Sequence, residues 1–346
     1  MKALLLSSYN HLEIVDSPVP SPGPHEVLIR VAACGICGSD VHGYDGSSGR
    51  RIPPIVMGHE AAGTIAAQGR EVRELFTNDR VTFDSTVSCG ACEYCKRGEI
   101  NLCHRREVLG VSCTDYRRAG AFAEYVVVPA RIVYRLPASI SFPEAALLEA
   151  VAVAVHAVSL AKDVPNRTVL VIGAGTIGLL CLQAIRVAGA SRIFISDIDE
   201  SRLAVAKVFG ADERLSPGVR FAKAISELTD GEGVDLVVEA VGRNDTVRTA
   251  VDSVRKGGTI LLVGNITPEV ELPLQKIVTR QIRLQGSCAS SGEYPRCIDL
   301  MASGAINVKP LISAVAPLEQ GALWFKRLHA REPGLTKVVL TPGGAL

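Results

Sequence analysis

At 346 residues the chain is longer than one ordinary core accommodates, and two domains are expected. Its residues are 47% hydrophobic and 21% charged with a formal net charge of +1, so the charge balance gives no reason to expect nucleic acid or an anionic membrane as partner. Lys2-Ala-Leu-Leu-Leu6 gives way at once to polar residues, which does not read as a signal peptide, and a cytoplasmic protein is expected.

Up to about residue 140, Gly, Pro and polar clusters separate short apolar runs. Glu26–Ala33, Gly63–Ala67, Arg80–Phe83 and Ala123–Val128 predict strands of a folded-over β barrel. Two cysteine-bearing stretches lie within this part. The first is Cys34-Gly-Ile-Cys37-Gly-Ser39-Asp40-Val-His42, followed by Gly58-His59-Glu60. Cys37, His59 and Glu60 offer soft, borderline and hard donors from separate loops, which suits an open catalytic zinc. Taken singly, each also has an ordinary reading: a small core cysteine, a satisfied histidine, a surface acid.

The second stretch is Cys89-Gly-Ala-Cys92-Glu-Tyr-Cys95, with Cys103 after seven further residues. Two CxxC steps on one loop and a fourth thiol close by predict a tetrahedral, structural zinc. The competing iron–sulfur pattern has a shorter last gap and a following proline, whereas His104 follows here. Without a secretion signal, a disulfide framework is not expected.

Ser141-Phe-Pro-Glu144 is a capping box with Pro in the first turn. The helix it opens runs through Ala145–Glu149 and continues, after a break, into Val151–Ala161. Glu149 sits in an Ala/Val-rich run, where an unpaired carboxylate is costly.

From Thr168 strands and helices alternate. Val169-Leu-Val-Ile predicts a buried strand, Gly173-Ala-Gly175-Thr176-Ile177-Gly178 a tight turn opening a helix, and Arg192–Ser196 the next strand, with Asp197 after it. Strand, glycine turn, helix and acid together form the dinucleotide-binding fingerprint. Gly175 lets the backbone approach a pyrophosphate, and the helix N-terminus supplies free N–H groups. Asp197 accepts ribose hydroxyls and repels a 2′-phosphate, which favours NAD over NADP; Arg202, one turn into the next helix, is the one hint of phosphate tolerance or, the favoured reading, flanks the adenine side. Strands at Val234–Glu239, Thr259–Val263 and Ile282–Gly286, with helices at Glu200–Phe209, Phe221–Leu228 and Thr246–Val254, predict a parallel sheet of about six strands. Val241 and Gly264 complete the candidate cofactor-binding residues. After Gly286 the pattern is mixed, ending in an amphipathic helix near Leu318–His329 whose Trp324 and Phe325 read as core or interface.

Over essentially its full length the chain resembles the zinc-dependent medium-chain dehydrogenases, on their polyol (sorbitol) dehydrogenase-like branch. The residues that carry the resemblance are Cys37-Gly-Ser-Asp-Val-His42, Gly58-His59-Glu60, the four-cysteine lobe, Leu148-Glu149, the GAGTIG turn and Asp197. It implies an α/β architecture: a GroES-like β-barrel catalytic domain (residues 1–155 and 288–346, with a structural zinc lobe at about 86–108) and a Rossmann doubly wound parallel sheet binding NAD (156–287). It also implies Cys37, His59 and Glu60 as catalytic zinc ligands, with Glu149 a fourth ligand or the holder of a zinc-bound water. Cys89, Cys92, Cys95 and Cys103 would hold the second of two zinc ions. A homodimer or homotetramer is implied, through the apolar strand near Ile282–Leu284. Ala150 departs from the family, which usually has proline after this glutamate.

The implied reaction takes hydride from a secondary alcohol of a polyol to NAD, giving a ketose. Zinc lowers the pKa of bound water from ~15.7 to ~7, on the order of 10 kcal/mol, against roughly 3–5 kcal/mol from general-base catalysis alone. The catalytic residues expected are Ser39, His42 and Glu149: the substrate proton leaves through Ser39 or a Glu149-held water toward His42, and hydride passes to the nicotinamide. Asp40 is expected to orient His59. Animal-type sorbitol dehydrogenases carry an Arg-Tyr pair that Gly286–Pro295 lacks, which disfavours sorbitol itself. Phe122 and the loop Tyr44–Arg51 are expected to line the pocket. Arg50 and Arg51 either meet the phosphate of a substrate such as galactitol 1-phosphate or are solvated loop charges. The alternatives are an L-threonine or simple-alcohol dehydrogenase and, in another class, a non-catalytic NAD/zinc-binding module.

Overall fold

The computed structural model describes residues 1–343. The chain divides into two compact units, Met1–Glu149 with Tyr294–Leu346, and Ala150–Glu293.

In the first unit Glu26–Gly35 is the central strand of a seven-stranded sheet. Val27, Ile29 and Val31 on it are fully buried. The sheet runs Val133–Arg135, Arg80–Phe83, Glu60–Gln68, Glu26–Gly35, Lys337–Thr341, Ile312–Pro317, with Tyr125–Pro129 also paired to Glu26–Gly35. Its neighbours are antiparallel apart from the parallel last pair. The predicted strands are all present, but two pairs were not legible: the hairpin Lys2–Ser8/His11–Asp16 and the pair Ile312–Pro317/Lys337–Thr341. The core gathers Leu6, Ile29, Phe83, Phe122 and Phe325, with Trp324 packed against it. Ser141 and Glu144 form the predicted capping box on Phe142–Ala146; the helix breaks at Leu147 and resumes as Leu148–Ser159.

In the second unit all six strands are parallel, in the order Glu213–Leu215, Arg192–Ser196, Thr168–Ile172, Val234–Glu239, Val254–Leu262, Arg283–Gly286. Reading outward from Thr168–Ile172, the chain builds one half of the sheet and then returns to build the other, the Rossmann order. The near-continuous aliphatic composition follows from burial on both faces: Val169, Leu170 and Val171 have no exposed surface, each contributing roughly 1.5–3 kcal/mol by leaving water. The helix expected over Thr246–Val254 spans Asn244–Ser253, and Val254 already opens the next strand. Among the described residues no helix is long and apolar enough to cross a membrane.

Candidate active site

Sheet register assembles the first donor cluster. Gly35 pairs with Glu60 and Cys34 with Ala61, so Cys37, just past one strand, meets His59 and Glu60 at the start of its antiparallel neighbour. The thiol, imidazole and carboxylate donor atoms lie within 4.8 Å of one another. Cys37 also opens the helix Gly38–Tyr44, its backbone N–H donating to Asp40 Oδ2 at 3.2 Å. That helix carries Ser39, Asp40 and His42.

Asp40 is fully buried, with Oδ1 3.3 Å from His59 Nδ1 and 3.1 Å from Arg51 Nη2. Burial pushes its carboxyl up, but His59 and Arg51 together outweigh that and hold it at about 2. Burial also opposes protonation of His59, and the Asp40 carboxylate overrides it, raising the imidazole well above its ordinary value. With Nδ1 facing Asp40, Nε2 faces Ser39, whose Oγ lies 3.5 Å away. His42 lies one turn beyond Ser39 on the same helix face.

Glu60 has a partner that the sequence reading missed. Lys337 Nζ lies 2.7 Å and 2.9 Å from its two carboxylate oxygens and donates to the Ile36 carbonyl at 3.2 Å. Both side chains are almost completely buried. Pairing of Val339 with Gly35 brings Lys337 across from this corner. A lone lysine heading the apolar run Lys337-Val-Val-Leu was the available signal. Glu149 does not join the 4.8 Å group. Protein surrounds its carboxylate on most sides, and that desolvation, with repulsion from Glu60, raises it to about 7.

Two pocket expectations are corrected. Phe122 is fully buried and packs edge-on against Phe325 at 5.7 Å, so it belongs to the core rather than to a pocket wall. Arg51 is neither solvated nor free for a substrate phosphate, because it is buried against Asp40; Arg50 stays exposed.

The second cluster is the four-cysteine loop, whose sulfurs also lie within 4.8 Å of one another. Cys92 Sγ is 3.5 Å and Cys89 Sγ 3.9 Å from Cys95 Sγ. Four sulfurs around one zinc at 2.3 Å would be separated by about 3.8 Å, so the set fits the ion. Backbone N–H groups of Cys89, Cys92 and Arg105 point at Cys103 and Cys89 sulfurs, as thiolates require. The amides of Ala91 and Cys92 hold the Cys89 thiol at about 5.

The cofactor candidates line the carboxyl ends of the parallel strands. Gly173 follows Thr168–Ile172 with φ +97°, a conformation that favours glycine. At Gly178 an added Cβ would meet the Gly173 carbonyl oxygen at 1.8 Å, so this glycine lets the helix beginning at Thr176 and Ile177 pack on the strand. Gly175 has neither reason: its φ is −71° and an added Cβ would meet nothing within 4 Å. Its open face at a helix N-terminus is where a pyrophosphate would approach. Asp197 ends the neighbouring strand, accepting from the Ala174 amide at 2.6 Å and the Asp199 amide at 2.9 Å. Arg202 lies 3.5 Å from Asp199. Val241 and Gly264 follow Val234–Glu239 and Val254–Leu262, on the side where the strand order reverses. Buried Glu239, which the sequence reading did not select, accepts from the Val241 and Gly242 amides at 3.0 and 2.8 Å and fixes that turn.

Comparison with known proteins gives the same grouping. Residues 23–138 match the alcohol dehydrogenase GroES-like domain and residues 176–303 the zinc-binding dehydrogenase domain. The chain is 35% identical to an Emericella nidulans protein named as a D-xylulose reductase, over 99% of this chain and 97% of that one. Galactitol-1-phosphate dehydrogenase from Escherichia coli superposes with a TM-score of 0.91 at 29% identity, covering 99% and 100% of the two chains. A zinc-binding dehydrogenase from Sinorhizobium meliloti with NADP bound superposes at 0.89 with 31% identity, covering 99% of each. The chain belongs to the zinc-dependent medium-chain dehydrogenase family, on its polyol dehydrogenase-like branch.

Proposed function

We propose that the protein is an NAD-dependent polyol dehydrogenase that takes a hydride from a secondary carbinol carbon and leaves a ketose. The observation that carries this reading is the convergence of the Cys37, His59 and Glu60 donor atoms within 4.8 Å beside the Ser39 hydroxyl. A thiolate, an imidazole and a carboxylate from three positions suit zinc with a coordination place left for substrate. When bound, zinc supplies the Lewis acidity that lets an alcohol lose its proton near neutral pH.

The chain's own residues do the rest. Asp40 orients His59 and keeps Nε2 turned outward, while Lys337 holds the Glu60 carboxylate in place. Ser39 accepts the substrate proton and passes its own toward His42. Glu149, raised to about 7, is the candidate holder of a water for the same transfer. The electron pair of the broken C–H bond would leave with its hydrogen as hydride, for which NAD, held by the glycine turn of Gly173, Gly175 and Gly178 and by Asp197, would supply the acceptor. Asp197, anchored at the glycine turn, disfavours a 2′-phosphate and supports NAD, although a structural relative carries NADP.

D-xylulose reductase and galactitol-1-phosphate dehydrogenase among the similar proteins support a polyol substrate. Arg51 is spent internally, which removes one of the two cations that favoured a phosphorylated polyol. A cytoplasmic homodimer or homotetramer fits the family. A screen of NADH formation over pentitols, hexitols, their phosphates, L-threonine and simple alcohols tests the reading. A polyol should be turned over with the highest kcat/KM; turnover of L-threonine or a simple alcohol alone would overturn the substrate class.

A further inference from the structure

Arg51 does more than neutralise Asp40. It is 4% exposed, and its stem lies so close over Gly43 that a Cβ there would meet Arg51 Cγ at 2.0 Å. Nη1 donates to the Arg50 carbonyl at 3.2 Å, and Nη2 donates both to Asp40 Oδ1 at 3.1 Å and to Ser39 Oγ at 3.2 Å. Its Nε is buried without a partner. A guanidinium left partly unsatisfied in a desolvated place is not there for its own stability. Arg is always charged and can only donate, so Ser39 must accept from it. That occupies one of the two lone pairs on the hydroxyl and, with the neighbouring His59 Nε2 given to the metal, leaves one lone pair and one hydrogen. A relay hydroxyl needs one place to receive a proton and one hydrogen to give.

We propose that Arg51 is a positioning residue that sets the direction of the Ser39 hydroxyl, so that its remaining lone pair meets the substrate proton and its own hydrogen is handed toward His42. This inference rests on the reading of Ser39 as the first acceptor of that proton. Arg51, buried against Asp40, acts through Ser39.

The test is a double-mutant cycle on the zinc-loaded enzyme with the best alcohol from the screen: Arg51→Lys, Arg51→Gln and Ser39→Ala, and each Arg51 variant combined with Ser39→Ala. Lysine keeps the charge toward Asp40 but lacks the planar guanidinium that fixes the two N–H directions of Nη2 toward Asp40 and Ser39. In Arg51→Lys the zinc content and the melting temperature of the metal-free protein should stay at wild-type values and KM should hardly change. Its kcat should fall about tenfold or more, within the range of a lost proton-transfer group, with a larger solvent deuterium isotope effect. With Ser39→Ala already present, neither Arg51 variant should lower kcat further. An equal loss with and without Ser39, no loss of kcat, or loss of zinc in both Arg51 variants would overturn the proposal. A Ser39→Ala enzyme with full kcat would instead refute the relay reading itself, and this inference with it.

Discussion

Replacing Lys337 by methionine removes the cation hydrogen-bonded to the Glu60 carboxylate while nearly preserving side-chain length. The pair lies at 2.7 and 2.9 Å with 3% and 1% of the two side chains exposed, so water cannot take the lysine's place. Breaking a buried ion pair from one side costs about 3–5 kcal/mol, because the remaining charge is left uncompensated. In a unit of about 200 residues each kcal/mol shifts the melting temperature by roughly 2–4 °C. Metal-free Lys337→Met should therefore melt about 6–20 °C below metal-free wild type in differential scanning calorimetry. Zinc changes the expectation. If Glu60 is a ligand, the ion supplies the missing positive charge, and the penalty in the zinc-loaded protein should shrink to less than half. A metal-free loss under about 2 °C would refute the energetic argument. An equal loss with and without zinc would detach Glu60 from the metal.

Three further outcomes are expected. Gly178→Ala should destabilise the second unit, because the new methyl meets a carbonyl oxygen at 1.8 Å, whereas Gly175→Ala should leave the melt unchanged and weaken NAD binding about tenfold or more, a loss of about 1.4 kcal/mol, measured by calorimetry. Asp197→Gly should raise the preference for NADP relative to NAD by about tenfold in kcat/KM, since it removes a carboxylate that a 2′-phosphate would otherwise face. Burial pushes the Glu293 carboxyl up, but its bonds to His156 at 2.7 Å and to the Ser291 amide outweigh this and hold it below its ordinary value. A depressed carboxyl contributes stability above its unfolded pKa of about 4.5 that is lost as pH falls through the folded value. Urea midpoints measured from pH 6 to pH 3 should thus fall less steeply for Glu293→Gln than for wild type.

The glycine turn, its strand and Asp197 were legible because local chemistry dictates them: an aliphatic run, residues without side chains where the helix meets the strand, an acid at the next strand end. The four-cysteine loop was legible by spacing alone. What escaped depends on long-range register. Lys337 reaches Glu60 across 277 positions of sequence, and only the pairing of Lys337–Thr341 with Glu26–Gly35 brings it there. Arg51 looked like a loop charge because neighbouring residues say nothing of Asp40 behind it. Phe122 was assigned to a pocket because an aromatic near a metal motif suggests a wall, yet the partner that buries it, Phe325, lies some 200 residues away in sequence. The two C-terminal strands were missed for the same reason, since Ile312–Pro317 is short and pairs with a strand beyond an intervening helix.

The most direct test of the account is a zinc count per chain, by mass spectrometry of extensively dialysed protein, set beside NAD affinity and polyol oxidation. Wild type should hold two ions. Cys37→Ser should hold one, bind NAD as tightly as wild type and oxidise no alcohol, while Cys92→Ser should lose the other ion and melt at a lower temperature. Two ions and undiminished turnover in Cys37→Ser would contradict the assignment of Cys37, His59 and Glu60 to the catalytic metal.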